Sequence, residues 1–578
     1  MANSLKKRGQ KFIRKFSRVS NKAREEGKEH IKENLFERIS HIKHIRLLIF
    51  EWGLLVVALI MLAIAQAFWF GDSYAGNTFT SGGTYTEATI GEVNSMNPLF
   101  ATTSSEKVLS RLMFSTISAV DYSGHPKAQL AKSITVGESG KKWIVKLRDG
   151  IKWSDGEPIT NDDVIFTVDL IKNPAVSTIY EANLSRVKVS VGEENELIFE
   201  LPSPYADFIS ALNIPIVPKH ILEGTDPKTI LENNFSNSPV TSGPFTFNAS
   251  QSNSSDGEKV FYLSNNPNYY LGKPLINTFA IHTYPDKDSV AKAMNSGSAT
   301  ATAELSGAET EKVTSGQFYR RNSSLSSGAF VFFNTSKKVL SSQELRSAIR
   351  KGVDIEKIRA SAPDTISLDY PLISAQIEIS KYPQIPARDF ESAKSKISEL
   401  AGGESIHLDV ATINSGYLPN VVSALAEELE SLGIKVNTTV YEENQEFITN
   451  VVSKRSYDIL VYEVEFGADP DLLPYYHSSQ ANASGLNLSN YRNALVDDLL
   501  LGARDTIDES LRIKKYETFL EYWVNDVPAI ALYRPNLTYI YNKNVRTYND
   551  NIKLVTPLDR FSDVDDWAVN KTAKNKTP

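Results

Sequence analysis

The sequence predicts an α/β protein carried behind one membrane-crossing helix, on three observations. Strand and helix periods alternate through the C-terminal half, a strand–turn–helix unit stands between Trp143 and Ile171, and Leu47 to Phe70 is an apolar run broken only by Glu51 and Gln66 among its polar residues. At 578 residues and 41% hydrophobic content, the chain exceeds the ~250–300 residues at which a single core stops growing. Two or three domains are therefore expected.

Residues 1–46 carry a net charge of +9, whereas everything after residue 70 carries −15. Between them, Leu47–Phe70 is long enough to cross a bilayer core of ~30 Å at ~1.5 Å per residue, and Trp52 and Trp69 stand where an interfacial belt would lie. The charge asymmetry places the basic tail in the cytoplasm and the acidic body outside. A cleaved secretory signal is the competing reading, since Ala63-Ile64-Ala65 offers a small-x-small site, but its hydrophobic segment is ordinarily only ~7–15 residues behind a short n-region. The tail itself reads either as a solvated topology signal or as a polybasic segment on anionic lipid with Phe12, Ile13 and Phe16 as shallow anchors. No nucleic-acid module accompanies its charge. Gly71 to Gly83 is small and polar, a linker, and the folded body is expected from Thr84.

In the body, Trp143, Val145 and Leu147 alternate at a period of two, Asp149-Gly150 supplies a hairpin-type turn, and Ile151 and Trp153 restart the alternation. Thr160 with Asp163 three residues on predicts a capped helix start, followed by the apolar face Val164, Ile165, Val168 and Ile171. Asn248 to Gly257 reads as an exposed hairpin loop. Further on, Ile406, Leu408 and Val410 form a strand; Val421, Leu425, Leu429 and Leu432 share a helical face; Gly433 stops it; and Ile434 to Val440 is the next strand. That is a βαβ unit, expected to be parallel. Phe447–Val452 and Tyr457–Val464 repeat the helix-then-strand order.

The wording LRDGIKWSDGEPITNDDVIFTV resembles the signature of the family 5 extracellular solute-binding proteins, the peptide-capturing and related components of ABC importers. Asn97-Pro98, Thr241 to Phe245, FVFFNTSKKVLSSQELRSAIRKGVDIEKI from Phe330, YDILVYEVEFGADPDLLPYYHSS from Tyr457, and Val527 to Arg534 follow in the family's order. The resemblance covers roughly residues 82–550. It implies a two-lobed fold of the periplasmic-binding-protein type (type II) with an extra subdomain: lobe one over 84–328, including an inserted subdomain at 115–238; lobe two over 329–528; a return to lobe one over 529–570; and a tail at 571–578. It also implies a peptide ligand enclosed between closing lobes, ABC permease subunits as partners, no cofactor and a monomeric receptor. Many members are tethered through a lipidated cysteine; this chain has no cysteine, so the span at 47–70 would take over attachment to the cell membrane.

By the same resemblance, Asp469 in the loop Phe466-Gly467-Ala468-Asp469-Pro470 would meet a peptide's α-amino group. The loop is shorter than the family pattern, so Asp469 capping the turn before Leu472 stands beside that reading. Thr102, Thr103 and Ser104 match a cleft-lining segment, as does Phe330 at the lobe crossing, where ligand contact and core packing are both open. Arg346 and Arg350 read as structural or surface residues. For catalysis the sequence offers neither HExxH spacing among its eight histidines, nor a G-x-S-x-G elbow, nor a phosphate loop. A binding protein rather than an enzyme is expected; a membrane-tethered sensor or scaffold on the same fold, or a receptor for a non-peptide solute, is the alternative.

Overall fold

The computed structural model describes residues 50, 53–62, 79–137, 139–252, 258–372, 377–442, 445–468 and 471–570. It divides into two units, 1–78 and 79–578. In the first, Phe50 and residues 53–62 are helical and exposed, and among the described residues no helix is long and apolar enough to cross a membrane. The basic tail 1–46, most of the span 47–70 and the end 571–578 lie outside the described residues.

The second unit is built on two large sheets, each with its own hydrophobic core. One core draws on residues 329–533; the other on residues 85–301 and 537–569. The first sheet has seven strands in the order Phe318–Ser324, Asn536–Asn542, Ala301–Thr302, Thr84–Ile90, Thr278–Tyr284, Lys259–Asn265 and Phe245–Ser252. A second sheet of six strands runs Ile366–Ser367, Ala529–Arg534, Ser327–Phe333, Ile459–Glu465, His407–Ile413 and Lys435–Tyr441. A four-stranded antiparallel sheet made by Ala131–Val136, Lys142–Leu147, Leu197–Glu200 and Lys188–Val191 is inserted into the first lobe.

The chain crosses between the large sheets twice, at 325–327 and at 534–536. The crossings touch: Leu325 N donates to Pro535 O (3.4 Å) and the Arg534 guanidinium donates to Leu325 O through Nη2 (2.7 Å). The return thus comes after Arg534, not at residue 529, because Ala529–Arg534 pairs with Ser327–Phe333 inside the six-stranded sheet. The body also begins earlier than Thr84, since Phe79 and Thr80 pair with Asn570 and Val569.

Where sequence periods are local, elements form as their residues dictate. His407–Ile413, the helix Leu418–Ser431 and Lys435–Tyr441 make a parallel βαβ unit, with Gly433 at φ +90° between helix and strand. Helix Asn161–Lys172 starts as expected: the Asp163 carboxylate accepts from Thr160 N (2.8 Å) and Thr160 Oγ1 (3.2 Å). The segment before it differs. Lys142–Leu147 pairs with strands on either side of it, while Lys152 meets Pro158 in an isolated bridge around the Ser154–Gly156 turn. Trp153 N donates to Glu157 O (2.8 Å) and Ile159 N to Ile151 O (3.0 Å) across that turn, so Ile151 and Trp153 bury their side chains in a single bridged turn rather than a strand. Of the loop expected over Asn248 to Gly257, Asn248–Ser252 is an exposed strand end, and 253–257 lie outside the described residues. Gly243 permits no side chain: a Cβ there would sit 2.6 Å from the Met113 carbonyl carbon, where that backbone docks.

Candidate functional site

Between the two large sheets lies a cavity of about 980 Å³ with walls from both lobes. That is at the upper end of the ~300–1,000 Å³ common for small-ligand sites. Lobe one contributes the helix Ser104–Met113, Glu304 to Gly307 and the segment Thr556 to Arg560; lobe two contributes Ser415 to Tyr417 and the strand end Glu463 to Glu465.

The first wall is fixed by a capping box. Glu106 accepts from Thr102 N (2.9 Å), Thr102 Oγ1 (3.1 Å) and Thr103 N (3.1 Å), and Thr103 Oγ1 accepts from Glu106 N (3.2 Å). Burial pushes the Glu106 carboxyl up, but these N–H donors outweigh it and hold the group below its ordinary 4.5. Thr102 and Thr103 are thereby committed to the helix start and do not line the cavity. Ser104 does, and its hydroxyl donates to Glu304. Burial raises the Glu304 carboxyl, opposed by that Ser104 bond and by Arg560.

Under the cavity lies an ion pair with almost no access to water. Arg560 is 1% exposed and Glu87 0%. Arg560 donates to Glu87 Oε1 through Nη2 (2.6 Å) and Nε (3.1 Å), while the Tyr539 hydroxyl donates to Glu87 Oε2 (3.0 Å). Burial lowers the Arg560 pKa, but attraction to Glu87 and Tyr539 more than offsets it, so the guanidinium stays charged. The pair joins strand Thr84–Ile90 to the C-terminal segment that forms the cavity floor.

On the opposite wall, Glu463 accepts from the Tyr533 hydroxyl (3.2 Å). Glu465 keeps contact with solvent, yet the protein mass around it raises its carboxyl above the ordinary 4.5, with Lys107 acting in the other direction and Asp559 adding to the rise. The lobes touch at two places, one of them on the cavity wall. At one, Gly307 from lobe one packs on Tyr417 from lobe two; at the other, Arg504 lies over the Tyr205 ring (5.1 Å) and Ala206 N donates to Arg504 O (2.8 Å). At Gly307, φ is +51° and a Cβ would come 2.5 Å from the Tyr417 hydroxyl. Gly307→Ala is therefore expected to hold the lobes apart and to weaken ligand binding roughly tenfold, the equivalent of ~1.4 kcal/mol, beyond a modest lowering of the ligand-free melting temperature from the strained φ. Titration calorimetry alongside thermal unfolding checks this.

The other residues singled out in the sequence fall into four groups. Ser104 lines the cavity. Phe330 is wholly buried, 5.8 Å from Phe466 and 5.5 Å from Phe332 between ring centroids, and belongs to the core of lobe two, so of its two open readings packing is the one the fold adopts. Phe466, Gly467 and Ala468 are half-buried just past the cavity wall, which ends at Glu465, and Phe466 N donates to Ser326 O (2.8 Å) at the crossing. Asp469 and Pro470 lie outside the described residues. Glu304, Glu463, Glu465, Tyr417 and Arg560 were not singled out. One signal for them was present: Glu463 and Glu465 share a face of the strand Ile459–Glu465, and paired acids on one strand face next to a loop are worth marking.

Residues 125–485 match the family described as Bacterial extracellular solute-binding proteins, family 5 Middle. The oligopeptide-binding protein AppA of Bacillus subtilis (strain 168) is 25% identical over 502 residues, covering 81% of this chain and 89% of the relative. Among solved structures, Bacillus subtilis AppA in complex with a nonapeptide superposes with a TM-score of 0.70 at 22% identity, covering 86% of this chain and 100% of the other. NikZ from Campylobacter jejuni in complex with Ni(L-His) gives 0.70 at 21%, covering 84% and 99%. Two lobes, an inserted four-stranded subdomain, a double crossing and a match over most of the body converge: the chain belongs to the family 5 bacterial extracellular solute-binding proteins.

Proposed function

We propose that the protein is the membrane-attached receptor of an ABC importer, which captures a peptide between its lobes and presents it to the permease. The observation that carries this is the cleft: about 980 Å³, walled by both lobes, with an acidic strand end on one side. A peptide ammonium suits Glu465, which lines the cavity and whose carboxylate accepts no hydrogen bond from the described residues, whereas Glu304 already receives the Ser104 hydroxyl and Glu463 the Tyr533 hydroxyl. Asp469, four residues further on, remains the second candidate for that contact, with Phe466 to Ala468 leading to it. Ligand main chain laid along the cavity would supply sequence-tolerant hydrogen bonds. The name and bound nonapeptide of AppA favour this ligand class.

Attachment is proposed through Leu47–Phe70, with residues 1–46 in the cytoplasm and the lobes outside. The support is length, flanking tryptophans and the basic-to-acidic change in charge. Tethering would raise the receptor's effective concentration at its transporter. Native mass spectrometry and thermal unfolding of the full-length protein with a library of short peptides test the binding role. A peptide at ~100 times its Kd should add ~2.7 kcal/mol of stability. No bound peptide and no stabilisation across the library would defeat the proposal, and hydrolysis of the peptides would turn it toward an enzyme. Cleavage of the basic tail by protease added to intact cells would contradict the orientation.

A further inference from the structure

We propose that the cleft selects basic peptides, with Glu304 of lobe one receiving the cationic end of a lysine or arginine side chain while the peptide's own amino group lies on Glu465 of lobe two; the inference rests on the peptide-receptor reading above. The observation behind it is a charge mismatch on the cavity wall. Its described carboxylates are Glu304, Glu311, Asp364, Glu463, Glu465 and Asp559, and its cations are Lys107, Arg111, Lys287, Arg320 and Arg560.

Two of those cations are matched from behind the wall. Arg560 Nη2 donates to the buried Glu87 (2.6 Å) and Lys287 Nζ to Glu309 (3.0 Å), and neither Glu87 nor Glu309 lines the cavity. Six carboxylates are then set against three remaining cations. Lys107 and Arg111 stand one turn apart on helix Ser104–Met113, and Arg320 is held to the Thr310 and Val313 carbonyls through Nη2 (3.1 and 2.7 Å). A cleft lined by an excess of one sign focuses its field and concentrates the opposite charge. A peptide with neutral side chains is a zwitterion and leaves the excess standing. A basic side chain reduces it, and an acidic one adds to it.

Glu304 is the carboxylate best placed for a second cation. Glu311 and Asp364 are exposed, where water screens a contact to little value. Asp559 accepts from Thr556 N (2.7 Å) and Oγ1 (3.0 Å), Glu463 accepts the Tyr533 hydroxyl, and Glu465 faces the amino terminus. Glu304 is half-buried two residues past the strand Ala301–Thr302, and its own N donates to Thr302 Oγ1 (3.2 Å), which fixes its backbone. It accepts the Ser104 hydroxyl, and no cation among the described residues forms an ion pair with it. Burial raises its carboxyl, a cost that an arriving cation would offset. Because Glu304 and Glu465 belong to different lobes, a ligand carrying both cations would join them.

The probes are pentaalanine with a free amino end and its variants carrying lysine, or norleucine, at each position in turn, titrated calorimetrically into the full-length protein. Norleucine keeps the apolar stem of lysine without its charge. At one position lysine should bind roughly tenfold more tightly than norleucine. Glu304→Gln, which keeps an acceptor for Ser104, should bring those two peptides to the same affinity. Equal affinities of the lysine and norleucine peptides at every position in the wild-type protein would overturn the proposal and leave the cleft a peptide site. A lysine advantage that survives Glu304→Gln would overturn it as well. If no member of the series binds, pentaalanine included, the peptide reading itself fails and takes this inference with it.

Discussion

Arg560→Met is expected to destabilise the protein by about 3–5 kcal/mol, which is the cost of breaking a buried pair by removing one partner. Its partner Glu87 has no solvent exposure, takes two bonds from Arg560 at Oε1, and shares Oε2 with the Tyr539 hydroxyl. Without the guanidinium, that carboxylate is either an isolated charge in the core or must take up a proton. Glu87→Leu alone should cost a similar amount, since it leaves a buried cation. The double replacement Glu87→Leu with Arg560→Met should recover most of the loss, because an ion pair exchanged for apolar side chains of similar size is often neutral. Denaturant unfolding of the four proteins closes the cycle. A sum of single losses in the double variant would show that the pair is not the source of the effect. Since Arg560 also floors the cavity, the single variant should lose ligand affinity even at temperatures where it remains folded.

Glu465→Gln should weaken binding of a peptide with a free α-amino group by roughly 10–150-fold, the range corresponding to ~1.5–3 kcal/mol for a hydrogen bond to a charged group. An N-acetylated peptide should bind wild type and variant alike, which separates loss of the ammonium contact from damage to the cleft. Acidity supplies an independent readout. The free Glu465 carboxyl titrates above its ordinary 4.5 because the protein around it disfavours the charge, whereas a bound ammonium would favour that charge. Affinity is therefore complete above the raised pKa and lost as pH falls through it, beginning above pH 4.5. The variant should lack this dependence. Should Glu465→Gln leave affinity unchanged while Asp469→Asn abolishes it, the ammonium contact belongs to the loop residue.

Much of the fold could be read from the chain because many of its signals are local. Thr160 with Asp163, and the βαβ run from His407 to Tyr441, depend on neighbours within a few residues, so period and capping chemistry locate them. Less was legible where partners are distant. Alternation marks Phe330 as a strand residue, but the whole strand Ser327–Phe333 is buried on both faces, so no period tells ligand side from core side. Ala529–Arg534 belongs to lobe two through pairing with a strand about 200 residues earlier in the chain, information that no local pattern carries. Acids at Glu304 and Glu465 become cleft residues only when the two lobes are brought together, and Arg346 and Arg350 look alike in sequence although one is saturated with carbonyls and the other is not.

The paired crossings at 325–327 and 534–536 have a mechanical consequence. Two strands bonded to each other at Leu325 and Pro535 resist twisting and sliding far more than one strand would, and they leave bending about a common line as the soft coordinate. Opening and closing then reduce to a single angle. A ligand of any sequence that holds Glu465 and Tyr417 against Ser104 and Gly307 would produce the same outer shape, so a transporter sensing that shape could register occupancy without inspecting the cargo.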